Sequence, residues 1–126
     1  MRLLAAVVVI ASAVTPKADD RCITDTDMLK SQLFADFLYH CVKTDPWGVD
    51  LCISEGCDMW DDCPSCFTHY AECYDTFCSD ECASLPASKS CVDCLEDFGC
   101  YDGILSCTGL DKLPPLANKE SNICVP

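Results

Sequence analysis

The sequence predicts a small, disulfide-rich, all-α fold, built as a bundle of three to four short helices. Three observations support this prediction. The chain has 14 cysteines among 126 residues, a density typical of crosslinked scaffolds. Its apolar residues recur at helical spacing along several segments. Apolar and polar residues do not alternate over more than four residues, whereas a half-buried strand requires such alternation.

The start of the chain has the order of a secretory signal peptide. Arg2 precedes the apolar run of residues 3–10, and Ala11 and Ala13 provide small residues for cleavage. We therefore predict a signal peptide over residues 1–13 and one cysteine-rich helical domain over residues 14–126. The apolar run is shorter than the about 20 residues of a membrane-spanning helix, so we expect no transmembrane segment after cleavage.

The first predicted helix covers residues 27–42. Leu33, Phe37 and Cys41 recur at intervals of four and form an apolar stripe. Tyr39 falls on the opposite, polar face of this helix. Tyr39 is therefore expected at the protein surface, while the apolar stripe is expected to pack into the core.

The second predicted helix covers residues 62–79 and follows a turn at residues 45–48, with Asp62 as its N-cap. At 100° per residue, all cysteines and aromatic residues of this segment fall within an arc of about 140°. One face of the helix is therefore expected to carry the core. The residues on that face are Cys63, Cys66, Phe67, Tyr70, Cys73, Tyr74, Phe77 and Cys78.

The remaining helices are shorter. A third helix is predicted to begin at Ser90 as N-cap and to stop at Gly99, and a fourth covers residues 101–107 and ends at Gly109. The tail after Gly109 contains two successive prolines and is expected to be extended. We expect Cys124 to tie this tail back to the bundle.

Two Cys-x-x-Cys pairs also suggest an internal repeat. Cys63 and Cys66 precede Cys73, and Cys91 and Cys94 precede Cys100, with offsets of 28 residues at the first pair and 27 at the last cysteine. Duplication of one helical hairpin would produce this pattern. Chance recurrence is the alternative in a chain so rich in cysteine.

The cysteines are interpreted as a structural disulfide framework, because an exported chain meets an oxidising environment. A zinc site at the Cys-x-x-Cys pairs and thiol–disulfide catalysis at Cys63-Pro64-Ser65-Cys66 are the alternatives. The spacing does not give the pairing. The predicted disulfide cysteines are Cys22, Cys41, Cys52, Cys57, Cys63, Cys66, Cys73, Cys78, Cys82, Cys91, Cys94, Cys100, Cys107 and Cys124.

A short segment around His69 resembles the catalytic helix of secreted phospholipases A2. The segment Cys66-Phe67-Thr68-His69 is followed by Cys73 and Tyr74. The resemblance implies a hydrolase in which His69 is the base. Tyr70 stands where that family has a calcium-binding aspartate after the histidine.

The charge of the chain restricts its partners. Eight basic residues against 21 acidic ones give a formal net charge of −13, which excludes an electrostatic nucleic-acid binder. Acidic clusters such as Asp58, Asp61 and Asp62 suggest a Ca²⁺-responsive structural protein as a further alternative. Their spacing matches no EF-hand loop, and helix capping and a solvated surface are the more ordinary explanation.

We therefore expect a secreted, acidic binding protein rather than an enzyme, with no cofactor or metal. The partner is expected to be a protein or cell-surface molecule with a cationic surface. The candidate contact residues are Tyr39, Trp47 and Trp60, because exposed aromatic side chains often dominate binding energy. Their other interpretation is that they cover the disulfide core.

Overall fold

The computed structural model describes residues 21–83 and 88–125. The predicted signal peptide, residues 1–13, lies outside this part of the chain. The described residues contain helices and no strand, which confirms the predicted all-α, disulfide-rich class. The α-helices are α1 Thr26–Leu29, α2 Gln32–Thr44, α3 Val49–Cys57, α4 Thr68–Cys73, α5 Lys89–Asp97 and α6 Ile104–Thr108. No helix among the described residues is long and apolar enough to cross a bilayer.

The first predicted helix is divided into α1 and α2 by Ser31. The Ser31 hydroxyl accepts a hydrogen bond from the backbone N–H of Phe34 at 3.1 Å and donates one to the carbonyl of Met28 at 2.6 Å. Serine competes with the helical backbone for hydrogen bonds in this way and caps a new helix. The prediction of one uninterrupted helix over residues 27–42 is therefore wrong at its first turn.

The sequence reasoning missed helix α3. A short 3₁₀ turn, Pro46–Gly48, leads into α3 and confirms the predicted turn. Within α3, Val49, Ile53 and Cys57 are buried at intervals of four residues. A Cβ atom at Gly56 would overlap the Phe37 ring, so α2 and α3 approach each other most closely at this glycine.

The second predicted helix is a continuous helical run, but its hydrogen bonding changes twice. It begins as 3₁₀ over Cys63–Phe67, is α4 over Thr68–Cys73, and becomes a π-helical turn over Tyr74–Cys78. Each change of pitch rotates the face that the side chains present. Phe77 was predicted on the buried face, yet it is 50% exposed.

The start of this run also differs from the prediction. Asp62 makes no side-chain capping bond. Asp61 fills that role instead, because its Oδ1 accepts a hydrogen bond from the backbone N–H of Cys63 at 3.0 Å.

The N-cap of helix α5 lies two residues before the predicted one, and the helix ends where predicted. The hydroxyl of Ser88, not that of Ser90, accepts from the backbone N–H of Cys91 at 3.2 Å. At the other end Gly99 has φ of 68°. The N–H of Cys100 reaches the Leu95 carbonyl at 2.9 Å, so the helix closes with a Schellman motif.

Helix α6 begins at Ile104, three residues after the predicted start at Tyr101. It ends at Gly109 as predicted, with φ of 83°. The N–H of Gly109 donates to the carbonyl of Leu105 at 2.9 Å. A left-handed glycine therefore stops each of the last two helices.

All 14 cysteines are paired in seven disulfides, and none is free. Complete pairing leaves no thiolate for a zinc site or for redox catalysis in this structure. The bonds are Cys22–Cys63, Cys41–Cys52, Cys57–Cys124, Cys66–Cys107, Cys73–Cys100, Cys78–Cys94 and Cys82–Cys91.

The two Cys-x-x-Cys pairs have different surroundings. The first pair lies in a 3₁₀ segment and bonds to Cys22 and Cys107, at opposite ends of the described chain. The second pair lies in α5 and bonds to Cys82 and Cys78. The duplication therefore stays a hypothesis based on the sequence spacing.

The extended tail after α6 covers the face of α2 that was predicted to meet solvent. Asp36 on that face is buried, and its carboxylate accepts hydrogen bonds from the amide N–H of Asn118 and from the Gln32 side chain at 2.8 and 2.9 Å. Tyr39 is only 5% exposed. The exposed position predicted for Tyr39 is wrong, because the tail and the backbone near Cys82 cover this side of α2.

Candidate functional site

A cavity of about 350 Å³ lies between the helices and the tail. This volume is within the usual range for small-molecule pockets. Its walls come from α2, the 63–78 run, α5, α6 and the tail, and most of the side chains on them are apolar. Representative apolar wall residues are Leu38, Phe67, Val92, Leu95, Ile104 and Leu113.

The tail segment 113–117, Leu-Pro-Pro-Leu-Ala, forms one wall of the cavity. The Gln32 side chain donates to the Leu116 carbonyl at 2.8 Å, and the backbone N–H of Asn118, two residues later, donates to Asp36. The disulfide between Cys57 and Cys124 fixes the end of the tail. This wall is therefore held on α2 by polar contacts at its rear and presents apolar side chains to the cavity.

Tyr39, Tyr70 and Tyr101 line the cavity, and with Tyr74, which lies next to Tyr70, they form two chemically different pairs. Tyr39 and Tyr74 both donate a hydrogen bond to the carbonyl of Cys82 at 3.1 Å, which satisfies their hydroxyls. Tyr70 and Tyr101 stack on each other with ring centroids 5.7 Å apart and planes 17° apart.

Both rings of this stacked pair line the cavity, and neither hydroxyl has a hydrogen-bond partner among the described residues. The Tyr70 and Tyr101 hydroxyls are therefore the polar groups that a ligand in the cavity can use. Unpaired hydroxyls next to an apolar wall are what orient a bound molecule.

The Tyr70 and Tyr101 hydroxyls stay protonated at any physiological pH. Burial raises the pKa of Tyr70 far above its ordinary value, and the neighbouring Tyr101 adds to this effect. Burial, followed by the negative charge of Glu96, raises the pKa of Tyr101 to about 12. Each hydroxyl is thus a neutral group that can donate and accept a hydrogen bond.

Glu96 is the charged side chain on the cavity wall. It is exposed on α5, and it makes no hydrogen bond or ion pair with another described residue. The cavity therefore combines apolar walls, two unpaired phenols and one negative charge at the solvent-facing side.

No known family model matches the chain. No curated protein and no solved structure is detectably similar to it either. The description of the site therefore depends on the geometry alone.

The two predicted contact tryptophans are exposed, and they lie away from the cavity wall. Trp47 is 64% exposed and donates to the Asp75 carboxylate at 2.9 Å, and Trp60 is 69% exposed and donates to the Asp58 carboxylate at 2.6 Å. No ring contact joins them within the described residues. Of the three candidates, only Tyr39 lies on the cavity wall.

The surroundings of His69 give no support to the hydrolase interpretation. His69 is exposed, and its Nε2 lies 3.1 Å from the carbonyl oxygen of Gly99. Among the described residues, no carboxylate is within hydrogen-bond distance of its ring. A carboxylate partner is what orients a histidine base in most hydrolases.

The acidic residues bring two carboxylates together beside a disulfide. Oxygen atoms of Asp25 and Asp61 and the sulfur of Cys63 lie within 4.8 Å of one another. That sulfur is bonded to Cys22 and is not a thiolate ligand. Two carboxylates fall short of the six to eight oxygen ligands of calcium, so the Ca²⁺ interpretation stays a prediction.

The Asp25 carboxyl is instead harder to ionise than that of an ordinary aspartate. Burial, together with the hydrogen bond and negative charge of Asp61, raises the pKa of Asp25 to about 6. The Asp25 Oδ2 atom is buried and has no hydrogen-bond partner. A second carboxylate this close opposes the ionisation of the first.

Sequence reasoning missed most of the cavity. Tyr70 was assigned to the core face of its helix, and Tyr101 only to the start of a short helix. The tail segment 113–117 carries no periodic pattern, although its apolar composition, Leu-Pro-Pro-Leu-Ala, was a signal that it packs on something. The cavity depends on contacts between segments more than 70 residues apart, such as Gln32 with Leu116.

Proposed function

We propose that the protein is a secreted, disulfide-stabilised binding protein, not an enzyme, that takes a small and mainly apolar ligand into the cavity between its helices and its tail. The observation that carries this proposal is the 350 Å³ cavity with apolar walls and two unpaired tyrosine hydroxyls. An apolar ligand gains free energy by leaving water, at roughly 25 cal/mol per Å² of apolar surface buried.

The disulfide scaffold supports ligand binding because it fixes the walls in advance. The Cys66–Cys107 disulfide joins the 63–78 run to α6, and Cys78–Cys94 joins the same run to α5. All three of these elements contribute wall residues. A wall that is ordered before binding does not lose conformational entropy when the ligand arrives.

Secretion is supported by the residue pattern of the first 13 positions and by the number of disulfides. Seven disulfides are typical of proteins that fold in an oxidising compartment.

Titration with the neutral fluorescent probe N-phenyl-1-naphthylamine tests the proposal. The full disulfide-bonded protein should bind one probe molecule in a saturable manner and raise its fluorescence. The substitution Val92→Trp fills the cavity, since Val92 lies on its wall, and should weaken probe binding at least tenfold.

Val125→Trp is the matched control, because Val125 is partly exposed and does not line the cavity. This variant should bind the probe as the parent protein does. Intact mass and circular dichroism would verify that both variants form all disulfides and keep their helices. Equal probe binding by the parent and the Val92→Trp variant would show that the cavity is not the site.

A second candidate function is docking to a protein through exposed aromatic side chains. Phe77 and Phe98 stack on each other on the surface, with centroids 4.5 Å apart and planes 5° apart, and both are about half exposed. Trp47 is bonded to Asp75, which lies in the same π-helical turn as Phe77. The π-helical turn therefore carries exposed aromatic contacts and an acidic side chain.

Binding to an immobilised basic protein such as lysozyme, compared with an acidic protein such as ovalbumin, tests the second candidate. Trp47→Ala and Phe98→Ala should each weaken capture, and added salt should weaken it further. Binding that is insensitive to salt would contradict the electrostatic part of this candidate.

A further inference from the structure

The cavity has an uneven distribution of charge, and this bears on which apolar ligand it accepts. Glu96 supplies the charge on its wall, and no lysine, arginine or histidine is among the wall residues. Glu96 lies close enough to Tyr101 for its charge to raise the pKa of that hydroxyl. The carboxylate and the stacked tyrosines therefore belong to one part of the cavity.

The Glu96 carboxylate is not neutralised by a neighbour. The nearby basic residue Lys89 forms an ion pair with Asp93, one turn along α5, at 2.6 Å. Glu96 itself has no ion-pair partner among the described residues. An unpaired carboxylate at the side of an apolar cavity attracts a positive group and repels a negative one.

The two tyrosines favour the same kind of ligand. Their unpaired hydroxyl oxygens can accept hydrogen bonds from an ammonium group, and their rings attract organic cations through their π electrons. The formal net charge of −13 adds a long-range field of the same sign around the molecule. The Glu96 carboxylate, the two phenol groups and the net charge of the protein therefore all favour a positively charged ligand.

We propose that the cavity binds an organic cation, an amphiphilic amine whose apolar body fills the space between α2, α5 and the tail while its ammonium group lies between Glu96 and the hydroxyls of Tyr70 and Tyr101. This inference rests on the proposed binding function and specifies its ligand class. The same arrangement of charge disfavours fatty acids and other apolar anions.

Displacement of N-phenyl-1-naphthylamine by three ligands of equal chain length tests the proposal: octylammonium, octan-1-ol and octanoate at neutral pH. Octylammonium should displace the probe at about fivefold lower concentration than octan-1-ol, the effect of one solvent-accessible ion pair. Octanoate should be weaker than the alcohol. Added sodium chloride should reduce the difference between amine and alcohol.

Glu96→Gln should remove the preference for the amine over octan-1-ol. Asp97→Asn is the matched control, because Asp97 is an exposed acid on the same helix that does not line the cavity. It removes one negative charge from the molecule as Glu96→Gln does. The control should keep the amine preference.

Each outcome has a separate meaning. If the amine and the alcohol displace the probe equally, the cation proposal is wrong and the apolar binding function stands. If both variants lose the preference to the same extent, the attraction comes from net charge and not from Glu96, which also overturns the proposal. If the parent protein binds no probe at all, the proposed function itself is wrong.

Discussion

The two sides of the cavity are held by different means. The 63–78 run and α5 are joined by short covalent loops, since Cys82–Cys91 and Cys78–Cys94 span sequence separations of 9 and 16 residues. The tail opposite has no helix, and its one disulfide, Cys57–Cys124, spans 67 residues. Its remaining attachment comes from hydrogen bonds to α2. One wall is thus fixed by local crosslinks, and the other depends on a few long-range contacts.

The length of the loop that each disulfide closes decides how much the bond stabilises the fold. A short loop restricts the unfolded chain little, because its ends are already close, whereas a long loop restricts it strongly. The tail disulfide should therefore stabilise the fold more than the local one, although fewer other contacts surround it.

Removing the two disulfides separately gives the largest expected effect. The double variants Cys57→Ser with Cys124→Ser, and Cys82→Ser with Cys91→Ser, should lose about 4 and about 2.5 kcal/mol of unfolding free energy, respectively, from loop entropy alone. All four cysteines are nearly fully buried, so the free-energy cost of burying two serines is similar in the two double variants. Guanidinium unfolding would measure both values. A larger loss for the short loop would contradict the comparison.

Asp36 is the main polar attachment of the tail. Asp36→Ala removes the acceptor for the N–H of Asn118 and should cost about 2 kcal/mol of stability, because a buried donor loses its partner. Asp36→Asn keeps a side-chain carbonyl and should cost less. Glu55→Ala, an exposed acid in α3, serves as the control and should change stability by less than about 0.5 kcal/mol.

The Asp25–Asp61 pair should make stability depend on pH. The folded state raises the pKa of Asp25 from 3.8 to about 6, so it holds a proton that the unfolded state releases between these values. The contribution of this pair to the free energy of unfolding is therefore fully present below pH 3.8 and is lost as the pH rises to about 6.

Asp25→Asn should abolish this pH dependence and stabilise the protein above pH 6, by about 1 kcal/mol after allowance for solvent screening. Thermal unfolding across this pH range would measure it, with Asp27→Asn at an exposed neighbouring site as the control. An Asp25→Asn variant whose pH profile matches that of the parent would contradict the raised pKa of Asp25.

The smallest expected effect concerns an ion pair between the tail and α2. The Glu120 carboxylate lies 2.7 Å from His40 and 3.5 Å from Lys43, and the hydrogen bond from His40 lowers the pKa of Glu120. A lowered pKa stabilises the fold above the ordinary value for a glutamate, and this contribution is lost as pH falls.

Because Glu120 is largely exposed, Glu120→Gln should cost less than about 0.5 kcal/mol at neutral pH. The cost should disappear in high salt. Thermal unfolding at low and at high ionic strength would separate this electrostatic contribution from packing. A loss that salt does not change would indicate that Glu120 acts through contacts other than its charge.

The sequence predicted those parts of the fold that depend on neighbouring residues. The body of α2 followed from its apolar stripe, and the end of α5 followed from Gly99. It did not predict Ser31 as a break, because serine is compatible with both the interior and the start of a helix. Helix α3 was missed although Val49, Ile53 and Cys57 have helical spacing.

The cavity was harder to predict because distant segments form it. The polar face of α2 carries Asp36 and Tyr39, and a local pattern assigns such residues to solvent. The tail covers them, and its position is set by hydrogen bonds across more than 80 residues, such as Asn118 to Asp36. Tyr39 was selected as an exposed contact, and it is instead a buried part of the cavity wall.

The central claim is that the tail forms one wall of a ligand-binding cavity. Hydrogen exchange of the Asn118 and Ser121 amides, which donate to the Asp36 side chain and backbone, tests it most directly. Saturating N-phenyl-1-naphthylamine should slow exchange at both amides in the parent protein, and the Val92→Trp variant should show no such change. Unaltered exchange at these amides in a parent protein that has bound the probe would contradict the claim.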